Sequence, residues 1–138
     1  MASSSIVIVL PVDDRPIAHD FYRDGLGLSP VGEPADDGVP EPLQFELTAS
    51  CRLMLVPRDG FGWILVGDQE KVAHPGQSEC LINLPVDSEA EVDQLVNRAE
   101  SAGARVTARA TRQPWGYVAT FADPDGHLWS VIHDGAWR

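Results

Sequence analysis

The chain has 138 residues, 43% of them hydrophobic and 22% charged, a globular usage of one-domain length that excludes a disordered chain. Twenty-one acidic against ten basic residues give a formal net charge of −11; this argues against nucleic acid, whose phosphates need clustered Lys and Arg, and against an anionic membrane surface. No run approaches the roughly 18 apolar residues that span a bilayer, and Met1-Ala2-Ser3-Ser4-Ser5 lacks the basic and apolar regions of a signal peptide, so a cytoplasmic location is expected.

The first apolar run closes on Val9-Leu10-Pro11-Val12-Asp13, and 74 residues later a second closes on Asn83-Leu84-Pro85-Val86-Asp87. Each copy follows a strand-like run and precedes a helix-like segment, which marks a duplicated module within one domain spanning 1–138. In module one, about residues 5–57, the strand leads to a helix capped by Asp14, with Pro16 tolerated in its first turn. Ile17, Phe21 and Tyr22 give its apolar stripe, and Gly25 or Gly27 ends it. Strand-sized runs follow at about 28–31, 42–48 and 51–57, with an acidic, Pro/Gly-rich loop at 32–41.

Residues 58–79 join the halves and are too long for a bare connection. Their Phe61, Trp63, Ile64, Leu65 and Val66 predict that part of the segment packs, a lid being one arrangement open to it. In module two, about 80–134, Ser88-Glu89-Ala90-Glu91 is a capping box. Val92, Leu95, Val96, Ala99 and Ala102 then recur at helical spacing, and Gly103 supplies the stop. Runs at 104–110, 117–122 and 128–133 follow, the last two joined by the turn Ala122-Asp123-Pro124-Asp125-Gly126. The order is β-α-β-β-β, twice. Cys51 and Cys80 sit inside apolar runs without metal-motif spacing and read as buried, reduced thiols.

Several blocks together resemble the vicinal oxygen chelate superfamily, which includes glyoxalase I, extradiol dioxygenases and bleomycin-resistance proteins. They are Leu10-Pro11-Val12-Asp13, Phe21-Tyr22-Arg23-Asp24-Gly25-Leu26-Gly27-Leu28, Trp115-Gly116-Tyr117 and Phe121-Ala122-Asp123-Pro124-Asp125-Gly126-His127-Leu128-Trp129. The resemblance covers nearly the whole chain. It implies an α+β fold of two βαβββ modules, with curled mixed sheets enclosing a shared cavity and helices on the outer face. It also implies a homodimer.

Metal-dependent members place one ligand on the first and one on the last strand of each module. Carried over block by block, these positions fall at Val7 and Leu81, at Met54 or Leu55, and at Ser130. None is His, Glu, Asp or Gln. A one-residue shift would offer Ile6 or Ile8 and Cys80 or Ile82, which make no site either. Divalent cations of this kind need imidazole or carboxylate donors, so no metal and no other cofactor is expected.

Strand parity predicts what the cavity side carries instead. Ile6, Ile8, Leu10 and Val12 form one apolar face, as do Cys80, Ile82, Leu84 and Val86, and these should meet the helices. Leu43 and Phe45 should do the same, turning Gln44 and Glu46 the other way. Asn83 and Ser130 complete a partly polar lining, the usual make-up of a small-molecule site. Glu46 is a weak candidate base or a holder of a cationic group, with plain solvent exposure as its alternative. Asn83 reads equally as a structural hydrogen-bonder, and Ser130 has no His-Asp arrangement to make it a nucleophile.

Trp63, Trp115 and Tyr117 could stack a planar ligand or cover a cation, with ordinary packing as the alternative. Trp129 should face the helices, and Trp137 reads as a tail or interface residue. His127 belongs to the turn, and His19, His74 and His133 scatter as surface residues do. The expected function is a metal-free small-molecule-binding protein that sequesters a drug-like, planar or cationic ligand. The alternative is a lyase, isomerase or dioxygenase that uses a displaced metal or acid/base chemistry at Glu46.

Overall fold

The apolar runs and their turn signals become strands and helices at nearly the predicted places. A computed structural model describes residues 4–65 and 72–134. Val66 and Trp137, to which the sequence assigns packing and terminal roles, lie outside the described residues. By internal contacts the chain divides into two compact units, Met1–Arg23 with Gly27–His74 and Asp24–Leu26 with Pro75–Arg138.

In unit one, β1 (Ile6–Val12) leads to α1 (Arg15–Asp20), which passes into a wider π-helical turn over Phe21–Gly25. The Asp14 carboxylate accepts from the Ile17 amide at 2.9 Å, the predicted cap, and Gly27 takes the left-handed conformation at φ 68°. Strands β2 (Ser29–Pro30), β3 (Leu43–Thr48) and β4 (Cys51–Pro57) complete a mixed sheet of order β1-β4-β3-β2, with β1 parallel to β4. Leu43, Phe45, Leu53, Leu55, Phe21 and Tyr22 are fully buried between sheet and α1, and the Tyr22 and Phe45 rings stand 5.9 Å apart.

Two expectations for this unit are corrected. Ile17 is 56% exposed and Ile6 64% exposed: α1 has only six residues and packs on β4, and Ile6 begins β1, an edge strand. His19, expected at the surface, is buried against Phe45. The linking segment packs in part, as predicted: α2 (Arg58–Ile64) buries Gly62, and Val72 is buried beyond it. The Arg58 guanidinium ties Asp13 to the Ala73 carbonyl, each at 2.9 Å.

Unit two repeats the topology. β5 (Leu81–Pro85), α3 (Glu89–Ser101), β6 (Arg105–Gln113), β7 (Gly116–Ala122) and β8 (Leu128–His133) give a sheet of order β5-β8-β7-β6, with β5 parallel to β8. The repeated sequence block therefore marks a repeated βαβββ module. Ser88 Oγ accepts from the Glu91 amide at 3.1 Å, while the Glu91 carboxylate reaches back to the Asp87 amide at 2.7 Å. At the other end Gly103 is left-handed at φ 118°, and the Ala104 amide closes on the Ala99 carbonyl at 3.0 Å, a glycine-terminated helix end.

Val92, Val96 and Ala99 of α3 pack on Ala119, Phe121, Trp129 and Val131, all buried. Cys80 is a correction: it precedes the edge strand β5 and is exposed, while Cys51 is half-buried, and both are free thiols. Among the described residues no helix is long and apolar enough to cross a membrane.

Candidate functional site

Each sheet has one face against its helices, and strand pairing fixes what the other face carries. In unit one, Leu43 and Phe45 point to α1, so period-two alternation turns Gln44 and Glu46 away from it. Gln44 pairs with Met54, and Met54 with Val9. One step along, Glu46 pairs with Arg52 and Ser29, and Arg52 with Val7. The helix-averted face therefore holds one row of Val9, Met54 and Gln44 and a second of Val7, Arg52, Glu46 and Ser29. This register resolves the open position on β4: Met54 shares the face of Val7, whereas Leu55 is buried on the helix side. Glu46 is exposed and directly opposite a guanidinium-bearing residue, an open position rather than an enclosed one.

In unit two, Asn83 pairs with Ser130, and Ser130 with Thr120. The Ser130 hydroxyl, buried at 3% exposure, donates to the Asn83 side-chain carbonyl. Thr120 and Thr107 share a hydroxyl hydrogen bond of 2.7 Å. Strand parity alone places Thr120, across the Asp123–Gly126 hairpin from Ser130, on this face.

Tyr117 lies on the opposite face. Its hydroxyl donates to Asp93 of α3 at 2.8 Å, and the Arg112 guanidinium stands 5.4 Å from its ring centroid. The tyrosine fastens sheet to helix and does not join Asn83 and Ser130. Trp63, on α2, is 77% exposed, and Trp115, in the turn before β7, is 57% exposed. Neither is spent on core packing.

A second feature escaped the sequence. Arg15, at the start of α1, reaches into the acidic loop 32–41: Nε donates to Asp37 at 2.8 Å and Nη2 to the Pro40 carbonyl at 2.8 Å. Its Nη1 lies 3.0 Å from Glu41, an ion-pair contact without hydrogen-bond alignment. The Asp37 bond and the two carboxylates hold the guanidinium pKa above its usual range despite partial burial, and the same bond holds Asp37 below its own. The loop, charged by composition, is thereby fixed to the helix.

The positions that the resemblance assigns to metal ligands can be set against the residues that occupy them. Unit one offers a valine and a thioether at the two ligand positions, and unit two a leucine and a hydroxyl already donating to Asn83. These do not fit Zn²⁺, Mn²⁺ or Fe²⁺, which take imidazole and carboxylate donors. Among the described residues no three His, Cys, Asp or Glu side chains gather to hold a metal elsewhere.

The family model described as the Glyoxalase/Bleomycin resistance protein/Dioxygenase superfamily matches residues 6–131. The chain belongs to that superfamily. No curated protein matches it significantly. Among solved structures, a glyoxalase-related enzyme from Fulvimarina pelagi is 24% identical, with a TM-score of 0.81 over 99% of this chain and 92% of that one. A family enzyme from Burkholderia phytofirmans PsJN is 18% identical, with a TM-score of 0.77 over 96% and 98%. Both likenesses are of fold. TnmS3, an antibiotic binding protein from Streptomyces sp. CB03234, is 27% identical, with a TM-score of 0.66 over 98% of this chain and 99% of that one. Superfamily members thus include enzymes and binders on one scaffold, and the choice rests on side chains.

Proposed function

We propose that this superfamily member is a small-molecule-binding protein that holds its ligand without the superfamily's divalent metal, in the manner of a drug-sequestering protein. The observation that carries the reading is the donor set: Val7, Met54, Leu81 and Ser130 stand where metal ligands would be. The likeness to an antibiotic-binding protein at 27% identity supports the same choice. In this reading a ligand lies on helix-averted sheet surface: Gln44 in unit one, and Asn83 and Ser130 in unit two, each offer uncharged hydrogen bonds beside apolar residues, and each unit has an exposed tryptophan, Trp63 or Trp115, available for stacking. A homodimer and a cytoplasmic location belong to the same proposal. The acid/base alternative at Glu46 has less support, because that carboxylate is exposed and faces Arg52.

Calorimetric titration of the full chain with Ni²⁺, Zn²⁺ and Fe²⁺ tests the reading. The expected result is no stoichiometric binding. Tight one-to-one binding that is lost on replacing residues of the first and last strands of either unit would overturn it.

A further inference from the structure

The helix-averted face of unit two carries a polar row that crosses the whole sheet. Asn83 on β5 pairs with Ser130 on β8, Ser130 with Thr120 on β7, and Thr120 meets Thr107 on β6 through their hydroxyls at 2.7 Å. On either side the face is apolar: Leu128 and Ala122 form one shoulder, Ile132 and Val118 the other. Neighbouring strands lie about 4.8 Å apart, so a row over four strands runs roughly 14 Å. No member of the row carries a formal charge. The equivalent row of unit one is Val9, Met54 and Gln44, with a single polar group.

The internal bonds of the row leave a defined remainder. Ser130 spends its only proton on the Asn83 carbonyl, which turns both protons of the Asn83 amide to other acceptors. Two hydroxyls that share one hydrogen bond always retain one O–H. Thr107 and Thr120 therefore keep one donor between them, and each hydroxyl of the row retains acceptor capacity. A charged ligand group would meet no counter-charge in the row, and its lost hydration would go unrepaid. A neutral oxygen would meet donors already held in place by their neighbours.

We infer that this row is a hydrogen-bonding rail for an uncharged, largely apolar ligand that bears carbonyl or hydroxyl oxygens along one edge, its accepting oxygens two or three strand spacings (roughly 10–14 Å) apart, because Ser130 between the free donors has no proton left to give. The inference rests on the binding reading above and narrows it: the ligand is neutral and oxygen-bearing rather than cationic.

Four bicyclic probes of similar shape test it by equilibrium dialysis against the full chain. They are coumarin (neutral, with a lactone carbonyl), chroman (the same fused skeleton and ring oxygen, with no carbonyl and a saturated C3–C4 bond), coumarin-3-carboxylate and N-methylquinolinium. The expected order places coumarin first, about tenfold tighter than chroman, the gain of one or two added hydrogen bonds. The double variant Asn83→Ala with Ser130→Ala should bring coumarin down to the chroman value while chroman itself is unchanged. Thr120→Val, close to isosteric and folded if its circular dichroism matches the parent, should move the ratio in the same direction.

Equal binding of coumarin and chroman, or a coumarin advantage that survives all three substitutions, overturns the rail and leaves the binding reading standing. Preference for the carboxylate or for N-methylquinolinium also overturns it, the latter in favour of Glu46. Absence of saturable binding by all four probes removes the binding reading and the rail with it.

Discussion

Gly126 closes the Asp123–Gly126 turn with φ 89°, and a Cβ built there would lie 2.6 Å from the Gly76 backbone nitrogen and 3.3 Å from its Cα. Gly126→Ala therefore carries two costs. An L-residue in the left-handed region loses roughly 1–2 kcal/mol, and an overlap with main chain that cannot rotate aside adds about 1–3 kcal/mol. Gly38 supplies the control: its φ is 88° and nothing lies within 4 Å of its Cβ position, so Gly38→Ala meets the first cost alone. The difference between the variants is then the steric contact, about 1–3 kcal/mol, or roughly 4–12 °C of midpoint for a chain of this length. Thermal unfolding followed by circular dichroism measures it. Equal midpoints for the two variants would refute the argument that the linking segment around Gly76 is packed on the turn that feeds β8 and Ser130.

Two further outcomes follow from named contacts. Arg15→Ala should leave the fold intact and free the 32–41 loop, seen as faster hydrogen exchange at the Ala35, Gly38 and Val39 amides, which are bonded within it. Because Arg15 holds Asp37 below its usual range, the same protection is present above the ordinary Asp range and is lost as pH falls through the depressed value. The Tyr117 phenol is held above its ordinary range, first by its bond to Asp93, then by burial and the carboxylates of Asp93 and Glu89, with Arg112 opposing. Asp93→Asn should lower its titration, read by ultraviolet difference absorbance. Since the folded phenol keeps its proton longer than the unfolded one, this tie contributes below pH 10 and fades as pH rises toward the raised value.

Local signals made much of the fold legible. Asp14, Ser88, Glu91 and Gly103 act within one helical turn of their own positions, so their bonds could be anticipated without tertiary information. The strand parity of Leu43, Phe45 and Trp129 was equally readable, because alternation is a property of the extended chain. The exposure of Ile6 and Ile17 is not legible in periodicity, because it depends on the edge position of β1 and on which strand the short α1 packs against. The burial of His19 against Phe45 is likewise decided by packing, because a histidine carries no local mark of burial. Tyr117 looked like a candidate for the binding face, yet its residue type does not say which side of β7 it occupies; Asp93 on α3 decides that.

The sequence by itself determined the repeat and the helix ends, because each depends on residue identity or on neighbours a few positions away. Only the tertiary structure decided that Met54 and not Leu55 shares the face of Val7. It alone aligned Asn83, Ser130, Thr120 and Thr107 in one row, and fixed the acidic loop to Arg15. Those facts join residues 13 to 47 positions apart, and only strand pairing and side-chain direction bring such residues together.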